Sequence, residues 1–249
     1  LSKLYFFMFH THWNTTSRRH NDGGPVDAQR RTFLRRAGYS AAATALLVTA
    51  CKTDTDVATP TGASRAARAG DIIKFGTGDV AVLNYAYALE QLEAAFYEKV
   101  IEVGTLKGRE MMLFTDIRDH EIAHREFFKN ALGSAAIPSL TPNFASIDFT
   151  NRASIILAAM AFSDLGVRAY HGAGKYIKNA DYLTLAGKIV SVEARHAAYI
   201  RDLFIKNNFS NTADPMYGLD LAKAPGEVLS AADPFIQEHI DLNGSGLIG

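Results

Sequence analysis

The chain has 249 residues, of which 48% are hydrophobic and 21% are charged, and its formal net charge is zero. Residues 1–50 hold 7 of the 26 basic residues and 2 of the 26 acidic residues. Residues 51–249 therefore carry 19 basic and 24 acidic residues, a net charge of −5. This mildly acidic segment lacks a basic stripe, which argues against nucleic acid as a partner, and it is long enough for one domain with a sizeable core.

Residues 1–50 have the features of an export leader. Residues 30–35, Arg-Arg-Thr-Phe-Leu-Arg, match the twin-arginine export pattern, and the uncharged apolar segment 37–50 is shorter than the roughly 20 residues that span a bilayer. Residues 48–51, Val-Thr-Ala-Cys, resemble a lipobox, which would make Cys51 the site of lipidation. The alternative for Cys51, the only cysteine, is a buried free thiol. The sequence therefore predicts a lipoprotein exported to the periplasm, outer membrane or cell surface.

A polar linker and four long helical patterns follow the leader. Residues 51–77 are rich in Thr, Ala, Asp and Gly without an apolar period, and they predict a flexible tether. Helical apolar spacing fills the predicted bundle domain, residues 78–210. The four predicted helices cover about residues 79–103, 109–132, 152–177 and 182–207. Between the second and third helices, residues 133–151 contain two prolines and suit a long crossover along a bundle.

The final segment, residues 211–249, is predicted to be a tail that packs on the outside of the bundle. It contains one short helical pattern, from about Gly226 to Ala232, with Pro225 well placed just before its start. No convincing strand pattern occurs in the sequence. An all-α four-helix bundle is therefore the expected fold class.

Two Glu-x-x-His motifs lie in this pattern, Glu121-x-x-His124 in the second helix and Glu193-x-x-His196 in the fourth. A Glu and a His at positions i and i+3 project from one face of a helix, so two such helices can direct two carboxylates and two imidazoles at one point. Hard, charged carboxylate oxygens with imidazoles that complete the shell suit divalent or trivalent metal ions, and buried carboxylates without a partner would be costly. The motifs therefore predict a metal site inside the bundle.

The first and third helices repeat this arrangement in part. Glu90 and Ser163 lie 31 and 30 residues before the Glu of the two motifs, and each is followed seven residues later by a tyrosine, Tyr97 or Tyr170. Seven residues is about two turns, so each tyrosine shares a face with its partner. The tyrosines are either core aromatics or hydrogen-bond partners of a metal ligand. Glu93, one turn after Glu90, is a further inward-facing carboxylate.

The competing interpretation is a buried polar network in which these Glu and His residues pair with arginine or tyrosine. Four arginines lie close enough in sequence to do so: Arg118, Arg125, Arg168 and Arg195. His120 points about 100° round the helix from Glu121, which favours an interhelical hydrogen bond over metal ligation. The two interpretations differ in geometry, because two bound metals require the carboxyls of Glu90, Glu121 and Glu193 to converge within about 4–5 Å.

Five segments, with the sequences LEQLEAAFY, HEIAH, GVRAYHGA, VEARH and VLSAADPF, carry a family resemblance. They occupy residues 89–97, 120–124, 166–173, 192–196 and 228–235. Together they resemble the ferritin-like domain family that includes plant desiccation-related proteins. The resemblance covers about residues 79–240, most of the chain beyond the leader.

The resemblance implies a set of metal ligands. The wider ferritin-like superfamily, which includes rubrerythrins, uses a Glu on helices 1 and 3 and Glu-x-x-His on helices 2 and 4. Glu90 matches the helix 1 ligand, with Glu93 as its competitor. Helices 2 and 4 match in full through Glu121, His124, Glu193 and His196. The helix 3 position falls on Ser163, a departure from the family, and the neighbouring Asp164 is shorter and rotated by about 100°.

A ferritin-like four-helix bundle that binds one or two Fe or Mn ions is the function the resemblance implies. Its activity would be ferroxidase-like or peroxide-detoxifying, in oxidative or desiccation stress. The alternative, favoured by Ser163, is a non-catalytic stress-associated scaffold with a degenerate, metal-free site. Metal ions are the expected partners, the membrane is contacted through the lipid anchor only, and a homodimer is compatible with the sequence.

Overall fold

The computed structural model describes residues 70–248, which form five α-helices and two short strands. In chain order these are β1 (Ile72–Lys74), α1 (Gly78–Val103), α2 (Gly108–Leu132), α3 (Arg152–Ala173), α4 (Ala180–Phe204), α5 (Pro225–Ala232) and β2 (His239–Asp241). Single turns of 3-10 helix follow α2, α3 and α5, at Gly133–Ala135, Gly174–Tyr176 and Asp233–Phe235. The predicted leader, Cys51 and the predicted linker up to residue 69 lie outside the described residues.

The four long helices α1–α4 form the predicted bundle and confirm the all-α fold class. α1 packs mainly on α2, and α3 packs mainly on α4. α1 ends at Val103 because Gly104 adopts a left-handed φ of 69° and donates its N–H to Val100 O at 3.1 Å. The short connection from there to Gly108 makes α1 and α2 antiparallel neighbours.

α1 is the central helix of the bundle. Every residue from Ala81 to Ala94 is buried, so this stretch is covered on all sides rather than along one stripe. The crossover between α2 and α3 supplies part of the cover. The Asn84 carboxamide donates to Phe75 O and Ala135 O at 3.0 and 2.9 Å and accepts from Ile137 N at 2.9 Å. Carboxylates on this stretch of α1 are therefore kept from water.

α3 is apolar because it is a core helix of the bundle. Its side chains Ile155, Ile156 and Ala159 are completely buried. The stretch Arg152–Tyr176 would also be long and apolar enough to cross a membrane by length and composition alone, a test that core helices of soluble bundles pass as well. Asn151 caps its N-terminus by accepting hydrogen bonds from the backbone of Ala153 and Ser154.

The C-terminal segment packs on α3 and returns to the start of the described chain. The Phe235 ring contacts Phe162 of α3 edge-to-face at 4.9 Å between centroids. β2 then pairs in parallel with β1, with Ile73 opposite Ile240. The sequence showed no convincing pattern for these two elements, since three-residue strands are too short to show alternation. The expected linker also ends too late, because Ile73 and Phe75 are buried in the fold.

Candidate metal centre

Glu121 and His124 of α2 and Glu193 and His196 of α4 face one another across the bundle. Each His approaches the Glu of the other helix most closely: His124 Nδ1 lies 2.9 Å from Glu193 Oε1, and His196 Nδ1 lies 2.9 Å from Glu121 Oε1. Within each motif the corresponding distances are longer, 3.7 Å and 3.5 Å. The spacing of three residues thus places both donors of each helix on the face that meets its neighbour.

Glu90 of α1 completes a group that we call the Glu/His cluster: Glu90, Glu121, His124, Glu193 and His196. Glu90 Oε2 lies 3.5 Å from His124 Nδ1. One ligand atom from each of Glu90, Glu121, His124 and Glu193 lies within 4.8 Å of the others, which is the convergence expected for a metal site. Three different helices therefore supply carboxylates to one point.

The donor atoms of the Glu/His cluster are buried yet not hydrogen-bonded. Among the described residues, both carboxylate oxygens of Glu121 and of Glu193, Glu90 Oε2, and Nδ1 of both histidines are buried without a hydrogen-bond partner. The 2.9 Å contacts between imidazole and carboxylate are ion-pair contacts that do not meet the requirements of a hydrogen bond. Unsatisfied buried groups are expensive, and convergent carboxylate and imidazole lone pairs are the donors that Fe and Mn prefer. The residues present therefore fit such an ion.

Arginine does not neutralise these carboxylates. Arg118 pairs with its neighbour Asp119 at 2.7 Å, and Arg125 pairs with Glu98 and Glu126 on the bundle surface. In the region from residue 70 to 248, no ion pair joins an arginine to the Glu/His cluster. The competing polar network therefore lacks the arginine contacts it requires, and its tyrosine contacts reach the cluster at one carboxylate, where the Tyr170 hydroxyl bonds to Glu90.

α3 brings no carboxylate to the Glu/His cluster. Ser163 is completely buried, and its hydroxyl lies 3.0 Å from the hydroxyl of Tyr97. The structure does not bring Asp164 to the cluster either: it is held in an ion pair by Arg201 of α4, with Arg201 Nε 2.7 Å from Asp164 Oδ1. Arg201 lies 37 residues from Asp164, and no local sequence signal identifies that pairing. Glu93 is buried beside the cluster, with Oε2 lacking a hydrogen-bond partner.

Two side chains outside the cluster hold its members in place. The Tyr170 hydroxyl of α3 donates to Glu90 Oε1. His120 Nδ1 lies 2.9 Å from His196 Nε2, and the two rings stack with an interplanar angle of 11°. His120 thus makes the interhelical hydrogen bond expected of it. Tyr170 bonds directly to a cluster carboxylate, whereas Tyr97 bonds to Ser163.

Burial and mutual repulsion set the protonation of the cluster without metal. Burial raises the pKa of Glu90 to about 8. Burial also opposes the charged forms of Glu121, His124 and His196, but the close contacts and charge attraction between these carboxylates and imidazoles outweigh it. The pKa of Glu121 falls to about 2, while the pKa values of His124 and His196 rise to about 12 and about 9. Metal-free cluster residues thus retain protons at neutral pH.

A small apolar cavity lies beside the Glu/His cluster. It has a volume of about 30 Å³, and its wall includes Tyr85, Leu89, Phe128 and Tyr170. Tyr170 connects the cavity to the cluster through its bond to Glu90. A cavity of this size holds about two water-sized molecules. The sequence did not indicate this cavity, because its wall is assembled from all four helices.

The fold and the cluster together define a helical bundle with a buried Glu/His site that could hold a metal ion. A family model described as a ferritin-like domain matches residues 78–206, just over half of the chain. The chain therefore belongs to the ferritin-like domain family. No curated protein matches it.

Replacing Tyr170 with phenylalanine should weaken metal binding without unfolding the bundle. The variant removes the donor that holds Glu90 Oε1, and loss of such a partner weakens metal affinity by about 10–100-fold. The measurement is the Kd for Mn²⁺ under nitrogen. Tyr97→Phe is the matched control, because its hydroxyl bonds to Ser163 instead of a cluster carboxylate. Equal affinities of wild type and Tyr170→Phe would contradict this role.

Proposed function

We propose that this protein is an exported non-haem iron or manganese protein that oxidises Fe²⁺ or removes peroxide in oxidative or desiccation stress. The observation that supports this function best is the set of unpartnered donor atoms at the centre of the bundle. Carboxylates from three helices in the core need compensating positive charge, which protonated His124 and His196 supply without metal and which a bound cation would supply in their place.

The residues of the Glu/His cluster have separate roles in holding such an ion. Glu121 and Glu193 have both carboxylate oxygens available, and Glu90 has one, because Tyr170 occupies the other. When Nδ1 of His196 is the ligand atom, its Nε2 carries the proton and donates to His120 Nδ1, which fixes the tautomer and the ring orientation. The surrounding helices exclude water.

Bound Fe or Mn would supply one-electron redox chemistry at this point. Reduction of one H₂O₂ to two waters consumes two electrons and two protons, and two Fe²⁺ supply the electrons.

Export as a lipoprotein completes the proposal. The twin-arginine pattern at Arg30-Arg31 and the lipobox-like segment ending at Cys51 support it. The twin-arginine route carries folded proteins, so a metal could be loaded before export. Replacement of Cys51 by Ser should release the protein from the membrane fraction if lipid is its anchor.

A second candidate function is a non-catalytic scaffold or a metal-sequestering protein. It is favoured by Ser163, which stands where the family's helix 3 carries a carboxylate. The two candidates differ in turnover rather than in fold. A scaffold would bind no metal, and a sequestering protein would bind metal without accelerating its oxidation.

Metal analysis followed by an oxidation assay tests the proposed function. Protein purified without chelator should contain Fe or Mn, and the metal-free protein should take up Fe²⁺ under nitrogen. Addition of O₂ or H₂O₂ should then produce Fe³⁺ absorbance faster than in protein-free buffer. A protein that binds neither Fe²⁺ nor Mn²⁺ would refute the proposal, and binding without faster oxidation would leave the sequestering function.

A further inference from the structure

The face of α3 that meets the site carries no charged ligand. Ser163 is engaged by Tyr97, and Tyr170 is engaged by Glu90. Between them, one turn after Ser163, lies Gly166, which has no side chain and is buried. α3 therefore leaves an open position at Gly166, one turn after Ser163, where a family member would project a carboxylate toward the metal.

Glu93 of α1 reaches into that open position. A Cβ built on Gly166 would lie 2.7 Å from Glu93 Oε1 and 3.7 Å from its carboxyl carbon. The Glu93 carboxyl thus rests against the backbone of α3, in the space that a side chain there would fill. Glu93 is 6% exposed, and its Oε2 is buried without a hydrogen-bond partner. A buried carboxylate with a free oxygen requires compensation by a cation or a proton.

Glu93 also lies on the same face as Glu90 and close to the other carboxylates. The two residues are three positions apart, about one helical turn. Burial raises the pKa of Glu93 well above its usual range, and the carboxylates of Glu121, Glu193 and Glu90 raise it further. All four carboxylates therefore share one electrostatic environment.

The charge of the four carboxylates indicates how many divalent metal ions the site would hold. Four ionised carboxylates carry a charge of −4, and the two histidines add no charge when they act as neutral ligands. One divalent ion would leave a charge of −2 in the core of the bundle, whereas two divalent ions leave none. Buried uncompensated charge is strongly unfavourable, so the set of four carboxylates matches two ions better than one.

We propose that Glu93 of α1 replaces the carboxylate that α3 lacks, and that it thereby completes a site for two divalent metal ions. This inference rests on the proposed function, because it allocates ligands within the same metal site. Two carboxylates come from α1, while α3 contributes the gap at Gly166 and the Tyr170 hydroxyl. Ser163 and Asp164 take no part in binding metal.

Stoichiometry of Mn²⁺ binding to the full-length chain tests the inference. Under nitrogen, equilibrium dialysis with Mn²⁺ alone should give two ions per wild-type chain and one per Glu93→Gln chain. Glutamine keeps the shape of the side chain and removes its charge. Glu98→Gln, an exposed residue of the same helix, should still bind two ions. Circular dichroism of each variant checks that the helices are retained.

Two variants of α3 and one variant of the 3-10 turn that follows it provide an independent test. Gly166→Ala places a methyl group against Glu93 Oε1 and should remove the second ion. Gly174→Ala is the matched control, because the added Cβ meets only Leu183 at 4.0 Å. Ser163→Ala should keep both ions. Loss of an ion from Ser163→Ala, or two ions bound with unchanged affinity by Gly166→Ala, would overturn the inference.

The outcomes separate the two proposals. A wild-type chain that binds no metal would refute the proposed function itself. One ion per wild-type chain, or two ions on Glu93→Gln, would overturn only the allocation of Glu93 and leave the metal site standing. A folded Glu93→Gln chain that binds no ion would also overturn it, because Glu93 would then be required for both ions.

Discussion

The Glu121→Ala/Glu193→Ala variant should lose metal binding and all stabilisation by metal. These side chains carry four of the buried cluster oxygens that lack a hydrogen-bond partner, and their removal leaves Glu90 as the one carboxylate of the Glu/His cluster. Wild-type protein with free Mn²⁺ at about 1,000 times its Kd should gain about 4 kcal/mol in free energy of unfolding. For a domain of this size that raises the melting temperature by about 10 °C.

The quantity to compare is the shift in melting temperature on adding Mn²⁺. This difference cancels any loss of stability that the substitutions cause in the metal-free protein. The control variant, Glu102→Ala/Asp116→Ala, removes two exposed carboxylates from α1 and α2 and should show the wild-type shift. A double variant of the cluster that is still stabilised by about 10 °C would show that metal binds elsewhere.

Metal binding should release at least about three protons per chain at pH 7, from Glu90, His124 and His196. In the metal-free protein these groups have pKa values of about 8, about 12 and about 9, so each carries a proton at pH 7. Metal ligation requires the deprotonated forms. Mn²⁺ ions that engage all three groups would displace one proton from each. A pH-stat titration in unbuffered solution under nitrogen counts these protons directly.

The same competition determines the sign of the pH dependence. Glu90 is protonated when the pH is below its pKa of about 8, and His196 is protonated when the pH is below its pKa of about 9. In these forms the protons occupy the atoms that would bind metal. The affinity for Mn²⁺ should therefore rise as the pH increases from 6 to 9. The Glu121→Ala/Glu193→Ala variant should release no protons on addition of Mn²⁺. Wild-type uptake without proton release would contradict the protonation described for the cluster.

Local sequence signals were enough to predict the helices and most of the Glu/His cluster. Apolar spacing at the helical period identified four long helices. The pairs Glu121-x-x-His124 and Glu193-x-x-His196 lie on the apolar faces of two of these helices, which predicts that they face the interior of the bundle. Glu90 followed from its place in the repeated helix pair. These features depend on contacts between residues three or four positions apart, which a helix fixes by its own geometry.

The contribution of α3 to the metal site could not be predicted in the same way. Ser163 and Asp164 are adjacent in sequence, and either one was a conceivable source of a ligand. Because α3 packs against α4, Arg201 of α4 forms an ion pair with Asp164. Because α3 also packs against α1, the Tyr97 hydroxyl of α1 forms a hydrogen bond with Ser163. Both partners are distant in the chain, so the alternatives differ only after the helices are assembled.

The sequence by itself thus determined the helical class, the family resemblance and the inward Glu-x-x-His motifs, because these are local properties of single helices. The tertiary structure alone decided that the carboxylates converge without arginine, that Asp164 pairs with Arg201, and that Glu93 lies against Gly166. The physical reason is that each of these outcomes depends on the distance between side chains of different helices, which is set by packing of the whole bundle.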